Sequence, residues 1–261
     1  MKKIELNGMD AVPGRRLAPG DRFRFRCHPG IGCFNRCCRN LNLFLYPYDV
    51  LRLRASLGIS SGRFLDDYVD VFLRPGSRFP EAMLRMADNP ERTCPFLTEA
   101  GCTVYPDRPD TCRTFPVEQG LVFEDGGRTT RVVHFFRPPD FCEGRLEATE
   151  WTADTWADDQ DARRHNRMTA RWATLRSRFE AADPWGAEGP EGAKARMAFM
   201  AAFNPDAFRE FVFGSSFLKR YKVKPDMQRR LRRSDAELLE FAFEWIRFFV
   251  WGDRPERFRA K

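Results

Sequence analysis

Apolar side chains recur at helical spacing through the second half of the chain. The stripe that runs from Met168 through Trp172 to Phe179 returns every three or four residues, which predicts one amphipathic helix. Residues 183–186, which read Asp-Pro-Trp-Gly, interrupt this pattern with turn-forming residues. Beyond the interruption, the spacing predicts further helices over residues 191–203, 205–213 and 225–231.

The last predicted helix is apolar over most of its surface. Ser234 and Glu237 stand three residues apart and resemble a capping box, which marks the start of the helix. Its polar residues form one narrow stripe: Glu237, Glu240, Glu244 and Arg247. Such a helix is buried on most sides, and we interpret it as packed within the chain rather than against a partner protein. Because Leu238 to Trp251 is short and carries three charges, we expect no membrane span there.

Two more helices are predicted on either side of Gly58. The first follows Pro47, places Val50 and Leu53 on one face, and ends at Gly58. The second begins at Ser60 or Ser61. Its apolar positions continue at helical spacing through Leu65, Tyr68, Val69 and Phe72.

The rest of the first half predicts loops and short strands. Residues 23–26 alternate Phe and Arg, which is typical of a short strand, and residues 28–32 should form a loop. Proline and short polar links over residues 75–115 predict little regular structure. Residues 120–124 and 128–136 flank Asp-Gly-Gly, which predicts a β-hairpin.

Composition narrows the class of protein. Hydrophobic residues make up 43% of the chain and charged residues 31%, a balance that excludes disordered and fibrous classes. The net charge of +7 comes from 44 Lys and Arg against 37 Asp and Glu. The densest basic run, residues 229–233, lacks an accompanying aromatic stacking motif. We therefore interpret it as a solvated helix end and expect no nucleic-acid partner.

The cysteines are unusual in number and placement, since all eight precede residue 143. The first eight residues have a basic start without an apolar run, so no secretory signal is expected. We therefore expect a cytoplasmic protein whose thiols stay reduced. Metal binding or redox chemistry, rather than a disulfide framework, is the leading interpretation.

The spacing of the cysteines suggests an unusual site. The first cluster is Cys27, Cys33, Cys37 and Cys38, and the second is Cys94, Cys102 and Cys112. A helix that started near Cys33 would place Cys33 and Cys37 on one face, with Cys38 turned about 100° away. The adjacent pair would then suit two metal atoms, or one metal and a structural contact. Glycines in the loop let backbone amides approach the sulfurs.

Several familiar metal and redox motifs do not fit these gaps. The chain has no Cys-x2-Cys pair, which zinc fingers and thioredoxins require, and no bacterial ferredoxin run. A radical-SAM loop beginning at Cys33 and Cys37 would need a cysteine where Asn40 stands. The spacing therefore leaves a nonstandard site with up to eight thiolates.

Residues 23–117 resemble the YkgJ-like cysteine-cluster family, also called the CxxCxxCC or zinc/iron-chelating domain family. The matching residues are Phe25, Cys27, Cys33, Cys37, Cys38, Arg39, Tyr48-Asp49-Val50, Leu57-Gly58-Ile59, Phe64-Leu65, Cys94-Pro95-Phe96-Leu97, Gly101-Cys102-Thr103-Val104-Tyr105, Arg108-Pro109, Cys112-Arg113 and Phe115-Pro116. The first cluster departs from the family name, because its gaps are Cys-x5-Cys-x3-Cys-Cys.

The resemblance implies a thiolate site that holds zinc or an iron–sulfur cluster. The implied metal ligands are Cys27, Cys33, Cys37, Cys38, Cys94, Cys102 and Cys112. Cys142 lies outside the pattern and stays open between ligand and free thiol. The family includes flagellin lysine N-methylases, so the alternative function is a protein-modifying enzyme of the lysine N-methylase type. A centre that transfers electrons would use a protein partner, and the catalytic residues are unassigned.

Charged residues near the cysteines have two interpretations each. Arg39, Arg108 and Arg113 either offset thiolate charge or bind an anion, or else form surface salt bridges. We interpret His28 as a solvated loop residue, and His134 and His165 as structural.

These patterns together predict the fold and its division. We expect a mainly α protein with irregular cysteine-rich loops and a small β-hairpin, α+β at most. An irregular N-terminal arm is predicted over residues 1–22 and a cysteine-cluster metal-binding domain over residues 23–146. A helical C-terminal region, residues 147–261, is predicted to pack on that domain.

Overall fold

A computed structural model of the chain describes residues 2–4, 9, 11–124, 129–181 and 183–261. Its strands are β1 (Lys2–Ile4), β2 (Arg15–Leu17), β3 (Arg22–Arg24), β4 (Phe44–Leu45), β5 (Val69–Phe72), β6 (Glu81–Leu84), β7 (Leu97–Thr98), β8 (Gly101–Cys102), β9 (Val117–Glu124), β10 (Thr129–Phe136), β11 (Glu150–Thr152), β12 (Tyr221–Val223) and β13 (Phe258–Ala260). Its α-helices are α1 (Pro47–Leu57), α2 (Ser61–Tyr68), α3 (Asp110–Thr114), α4 (Ala153–Asp159), α5 (Arg163–Ala181), α6 (Ala193–Phe203), α7 (Pro205–Gly214), α8 (Phe217–Arg220), α9 (Pro225–Arg233) and α10 (Asp235–Trp251).

The predicted fold class is confirmed. Helices account for 47% of the chain and strands for 19%, with the strands in small sheets. The predicted helices after Pro47, around the Met168 stripe and at the end of the chain are present as α1, α5 and α10. No helix within the described ranges is both long and apolar enough to cross a membrane.

The chain divides into two compact units, each assembled from two separate segments. The cysteine unit comprises Met1–Leu43 and Met86–Thr174, and the helical unit comprises Phe44–Arg85 and Leu175–Lys261. The predicted domain bounds at residues 22 and 146 are a different division of the chain and stay a prediction.

A four-stranded sheet, in the order β1-β9-β10-β2, lies in the cysteine unit. Strands β9 and β10 form the predicted hairpin and pair antiparallel from Val117 with Phe136 to Glu124 with Thr129. Its turn, residues 125–128, lies outside the described residues. Strand β2 pairs with β10, so the segment expected to be an irregular arm supplies edge strands to this sheet.

The core of the cysteine unit holds the strand that leads into the first cysteine. Its buried residues are Leu17, Phe23, Phe25, Val117, Cys142 and Trp156. The indole nitrogen of Trp151 donates to the carbonyl oxygen of Phe25 at 2.8 Å, and that of Trp156 donates to Thr114 at 2.9 Å. These bonds satisfy buried polar groups and hold β3 and α3 against the core.

In the helical unit, α10 is buried along most of its length, as its apolar surface predicts. The Ser234 hydroxyl accepts the N–H of Glu237 at 3.3 Å, which caps the helix. Glu244 lies on the predicted polar stripe yet is buried. Its carboxylate accepts the backbone N–H groups of Glu256 and Arg257, which compensates for the lost hydration.

One local prediction, the extent of the second helix, was wrong. The helix after Ser60 ends at Tyr68, and residues 69–72 form β5 instead. Its β-branched residues Val69 and Val71 pair with β6, because a strand partner outweighs the helical spacing of the sequence. Over residues 75–115, where little regular structure was expected, the strands and α-helix are the short elements β6, β7, β8 and α3.

Candidate metal centre

All eight cysteines are thiols outside any disulfide, and all lie in the cysteine unit. Cys27 follows β3 and is exposed, whereas Cys33 and Cys142 are buried. Half-buried thiols make up the remainder: Cys37, Cys38, Cys94, Cys102 and Cys112. The unit therefore gathers soft sulfur donors from four segments of the chain.

No α-helix starts at Cys33, so the condition for placing Cys33 and Cys37 on one helix face is not met. Residues 32–35 form a turn, and a short 3-10 helix follows over Arg36–Cys38. Asn35 precedes it with φ of 61°, in the left-handed region, so no continuous α-helix joins Cys33 to Cys37. The two thiols are consequently presented by a turn rather than by one helix face.

Glu143 ties the first cysteine loop to the segment of Cys142. Its carboxylate accepts the Gly32 N–H at 2.8 Å, and its own backbone N–H donates to Cys33 Sγ at 3.2 Å. The next residue, Gly144, accepts the Arg26 N–H at 3.0 Å. Its position leaves no room for a side chain, since a Cβ would lie 2.8 Å from the Arg26 oxygen. Cys27, Cys33 and Cys142 are thus held by one set of backbone contacts.

A second set of backbone contacts joins Cys38 to Cys94 and Cys102. The Cys94 N–H donates to the Cys38 oxygen at 2.8 Å, and the Leu97 N–H donates to the Cys94 oxygen at 3.0 Å. Leu97 is then paired with Cys102 across the β7–β8 hairpin. Gly101 adopts φ of 118° at the turn, a conformation that favours glycine.

Backbone amides point at several of the sulfurs. Phe96 donates its N–H to the Cys94 thiol and Val104 to that of Cys102, and in both cases the bond lowers the thiol pKa. Gly144 and Arg145 do the same for Cys142. Because an amide hydrogen stabilises the thiolate rather than the thiol, these loops are built for sulfur that carries negative charge.

Desolvation and the neighbouring thiols have the opposite effect, because both raise the pKa values of the thiols. Desolvation, followed by repulsion from Cys37, Cys33 and Cys142, raises the pKa of Cys27 from 9.0 to about 11. Desolvation also raises the pKa of Cys94 to about 11, with a contribution from Cys102. The same two causes raise the pKa of Cys142, where Cys33 is the main repelling thiol. These three thiols, when metal-free, therefore hold their protons at neutral pH.

The adjacent pair Cys37 and Cys38 is the most strongly coupled. A hydrogen bond between the two thiols, with burial second, raises the pKa of Cys37 above the usual range. Cys37 also contributes to the raised pKa values of Cys27, Cys142 and Cys94. It is therefore close to thiols of both backbone-linked sets.

Two of the arginines beside the cysteines, Arg108 and Arg113, are buried, so surface salt bridges do not describe them. Arg108 is buried and donates to the Tyr105 oxygen at 2.6 Å and to the Gln160 side chain at 2.5 Å. Its charge lowers the pKa of Cys102. Arg113 is buried too and donates to the Gln160 backbone oxygen at 2.7 Å, so one residue anchors both guanidinium groups.

Arg39 holds the end of the first cluster. It pairs with Glu91 at 3.2 Å and donates to the Asn35 oxygen at 2.8 Å. Its charge also lowers the pKa of Cys37. A surface salt bridge and charge compensation therefore occur in the same side chain.

His28 is occupied by neighbours within its own loop region. Its Nδ1 accepts the Gly30 N–H at 3.1 Å, and its Nε2 lies 3.5 Å from Glu147. The other two histidines lie away from the cysteine loops in sequence, His134 in β10 and the buried His165 in α5. Burial lowers the pKa of His134, in keeping with a structural role.

Sequence reasoning missed Glu143 and Gln160 as positioning residues. Glu143 stands between Cys142 and Gly144, and an acidic residue in such a short Cys-x-Gly segment was the available signal. Gln160 had no such signal, because its partners Arg108 and Arg113 lie about fifty positions earlier in the chain.

The structure thus defines a thiol-rich domain whose donors suit a soft metal. Within the described residues, no three or more His, Cys, Asp or Glu side chains stand in a ready-made metal-binding group. Residues 26–143 match the family model CxxCxxCC, described as a "Putative zinc- or iron-chelating domain". The match shows the domain over this segment, and the resemblance seen in the sequence is confirmed there.

The matched segment extends beyond the residues that carried the resemblance. It reaches residue 143 and so includes Cys142, which the sequence pattern left outside. No curated protein and no solved structure matches the chain.

Proposed function

We propose that residues 26–143 bind a metal through thiolates, either as zinc or as an iron–sulfur cluster. The proposed ligands are Cys27, Cys33, Cys37, Cys38, Cys94, Cys102 and Cys112, with Cys142 added on structural grounds. The observation that carries the proposal is the set of backbone N–H groups directed at sulfur in the family segment. Amides placed in this way offset the charge that several thiolates bring to one metal.

The proposed ligands are all sulfur atoms, and this donor type fits zinc or iron. The raised pKa values of the thiols explain why a cation is needed to bring these sulfurs together. Neutral thiols attract one another weakly, and bare thiolates repel, so only a bound cation brings the sulfurs to ligand distance. Binding would then release the protons that the raised pKa values retain. Bound zinc would cross-link the loops, and an iron–sulfur cluster would in addition accept and release electrons.

A reducing compartment suits this chemistry, and we expect the protein in the cytoplasm. All eight cysteines are thiols rather than disulfides in the structure. Disulfide formation would remove the ligands in pairs, since the thiolate and not the disulfide binds metal.

Anaerobic purification with metal analysis and a visible spectrum tests the proposal. Brown protein with iron and acid-labile sulfide identifies a cluster, and colourless protein with bound zinc identifies a zinc site. Cys33→Ser and Cys94→Ser should each lose metal, whereas Ser215→Ala in the helical unit should retain it. Wild-type protein that binds neither zinc nor iron under these conditions would overturn the proposal.

A further inference from the structure

The eight thiols are too many for one four-ligand site. A tetrahedral zinc and a single iron–sulfur cluster each take four protein thiolates. Resting on the function proposed above, we propose that the cysteines serve two metal centres that meet at the adjacent Cys37–Cys38 pair. The first centre comprises Cys27, Cys33, Cys37 and Cys142, and the second comprises Cys38, Cys94, Cys102 and Cys112.

The first centre follows from the contacts around Glu143. Gly32 donates to the Glu143 carboxylate at 2.8 Å, and the Glu143 backbone N–H donates to Cys33 Sγ at 3.2 Å. The bond from Arg26 to Gly144, at 3.0 Å, brings the strand before Cys27 to the same place. Two loops more than one hundred residues apart are thus fixed together, with a cysteine in each.

The second centre follows from a separate run of contacts. The bond from Cys94 to the Cys38 oxygen, at 2.8 Å, joins the two clusters, and β7–β8 brings Cys102 back beside Leu97. Arg108, whose charge acts on Cys102, shares Gln160 with Arg113, the neighbour of Cys112. Cys112, the neighbour of Arg113 in α3, is the remaining thiol and is assigned to this centre.

The adjacent pair is where the two sets touch. Consecutive residues in a 3-10 turn direct their side chains about a third of a turn apart, so Cys37 and Cys38 can serve neighbouring sites. Cys38 is joined to Cys94 by the backbone bond, and Cys37 is left to complete the first centre beside it.

Titration of the metal-free, full-length chain with Co²⁺ tests this division. Under anaerobic conditions the thiolate-to-cobalt absorption should rise to a break at two equivalents. Cys27→Ser, at an exposed position of the first centre, should leave one tight equivalent that resists a competing chelator. Cys102→Ser should leave one tight equivalent as well, and the double variant should leave none.

The outcomes separate this inference from the function on which it rests. A wild-type break at one equivalent, or loss of all tight Co²⁺ in either single variant, would overturn the two-centre arrangement while metal binding stands. Absence of any thiolate–cobalt band in the wild type would overturn both. The wild-type break point needs no substitution, and far-UV circular dichroism checks that each variant is folded.

Discussion

At the scale of single residues, the cysteine loops place opposing demands on each sulfur. Amide hydrogens at Cys94, Cys102 and Cys142 favour the thiolate, while desolvation and neighbouring thiols favour the protonated form. Desolvation is the larger effect at all three. A bound cation favours the thiolates over the protonated thiols, because it attracts the sulfurs and offsets their mutual repulsion. The hydrogen bonds from the backbone amides to the sulfurs stay in place.

The stability of the metal-free protein should therefore fall in mild alkali. In the folded chain the pKa of Cys94 is about 11, against 9.0 for an ordinary thiol. The unfolded chain releases this proton first, so the contribution to folding is whole below about pH 9 and is lost as pH rises towards about 11. Urea midpoints measured across this window should fall less steeply for Cys94→Ser. Equal slopes for the two proteins would contradict the assignment.

Glu143 is expected to act on the metal through the loop it positions. Glu143→Ala removes the acceptor of the Gly32 N–H and should weaken metal binding by roughly 10-fold, the lower end of effects at outer-shell residues. Glu143→Gln keeps an acceptor oxygen and should recover most of that loss. Chelator competition measures the affinity, with Glu99→Ala in the exposed β7–β8 turn as the control. A loss that Gln fails to recover would point to the charge instead.

At the scale of elements, short turns rather than long helices position the cysteines. The segment from Cys142 to Leu146 is a single 3-10 turn, yet it contacts both the strand before Cys27 and the loop of Cys33. This close approach depends on Gly144, which is buried against Arg26 and Phe25.

Gly144→Ala should disturb both folding and metal binding. The added methyl would lie 2.8 Å from the Arg26 oxygen and 2.9 Å from the Phe25 ring, so β3 or the turn must shift. We expect a loss of about 1–3 kcal/mol in unfolding free energy, typical of overpacking, and weaker metal binding. Gly214→Ala is the matched control, because its nearest neighbour would be the Glu210 side chain at 3.6 Å. Equal unfolding free energies for the two variants would contradict this prediction and would show that β3 shifts at little cost.

Helical elements followed from the sequence more readily than the site did. The start of α10 at Ser234 and the end of α1 at Gly58, with φ of 67°, were predicted because caps are local signals. The path from Cys33 to Cys37 was not, because Asn35 adopts a left-handed conformation that the spacing does not reveal. The place of Cys142 depends on bonds to residues more than one hundred positions away, which no local pattern contains.

At the scale of the whole molecule, the two units differ in what stabilises them. The helical unit has a core of stacked aromatic rings, such as Phe79 on Phe179 with centroids 4.4 Å apart. The cysteine unit includes a buried cluster to which a cysteine itself belongs. We infer that the cysteine unit depends more on bound metal for its order.

Metal removal should therefore loosen one unit selectively. Hydrogen exchange of metal-loaded and chelator-treated protein, followed by mass spectrometry, should show faster exchange in peptides from residues 26–38, 94–112 and 140–146. Peptides from α6 and α10 should change little, since their hydrogen bonds and core belong to the helical unit. A uniform increase along the chain would contradict this independence.

The insertion of Phe44–Arg85 between the two cysteine clusters has a consequence for folding. Cys38 and Cys94 are 56 positions apart, and most of the chain between them belongs to the other unit. Bringing such distant points together costs loop-closure entropy, which grows with the logarithm of the loop length. A metal that binds both clusters only in the folded chain adds its binding free energy to folding, and this offsets the cost of loop closure. The thiol loops would then be the last part of the chain to become ordered, after the residues between them have folded.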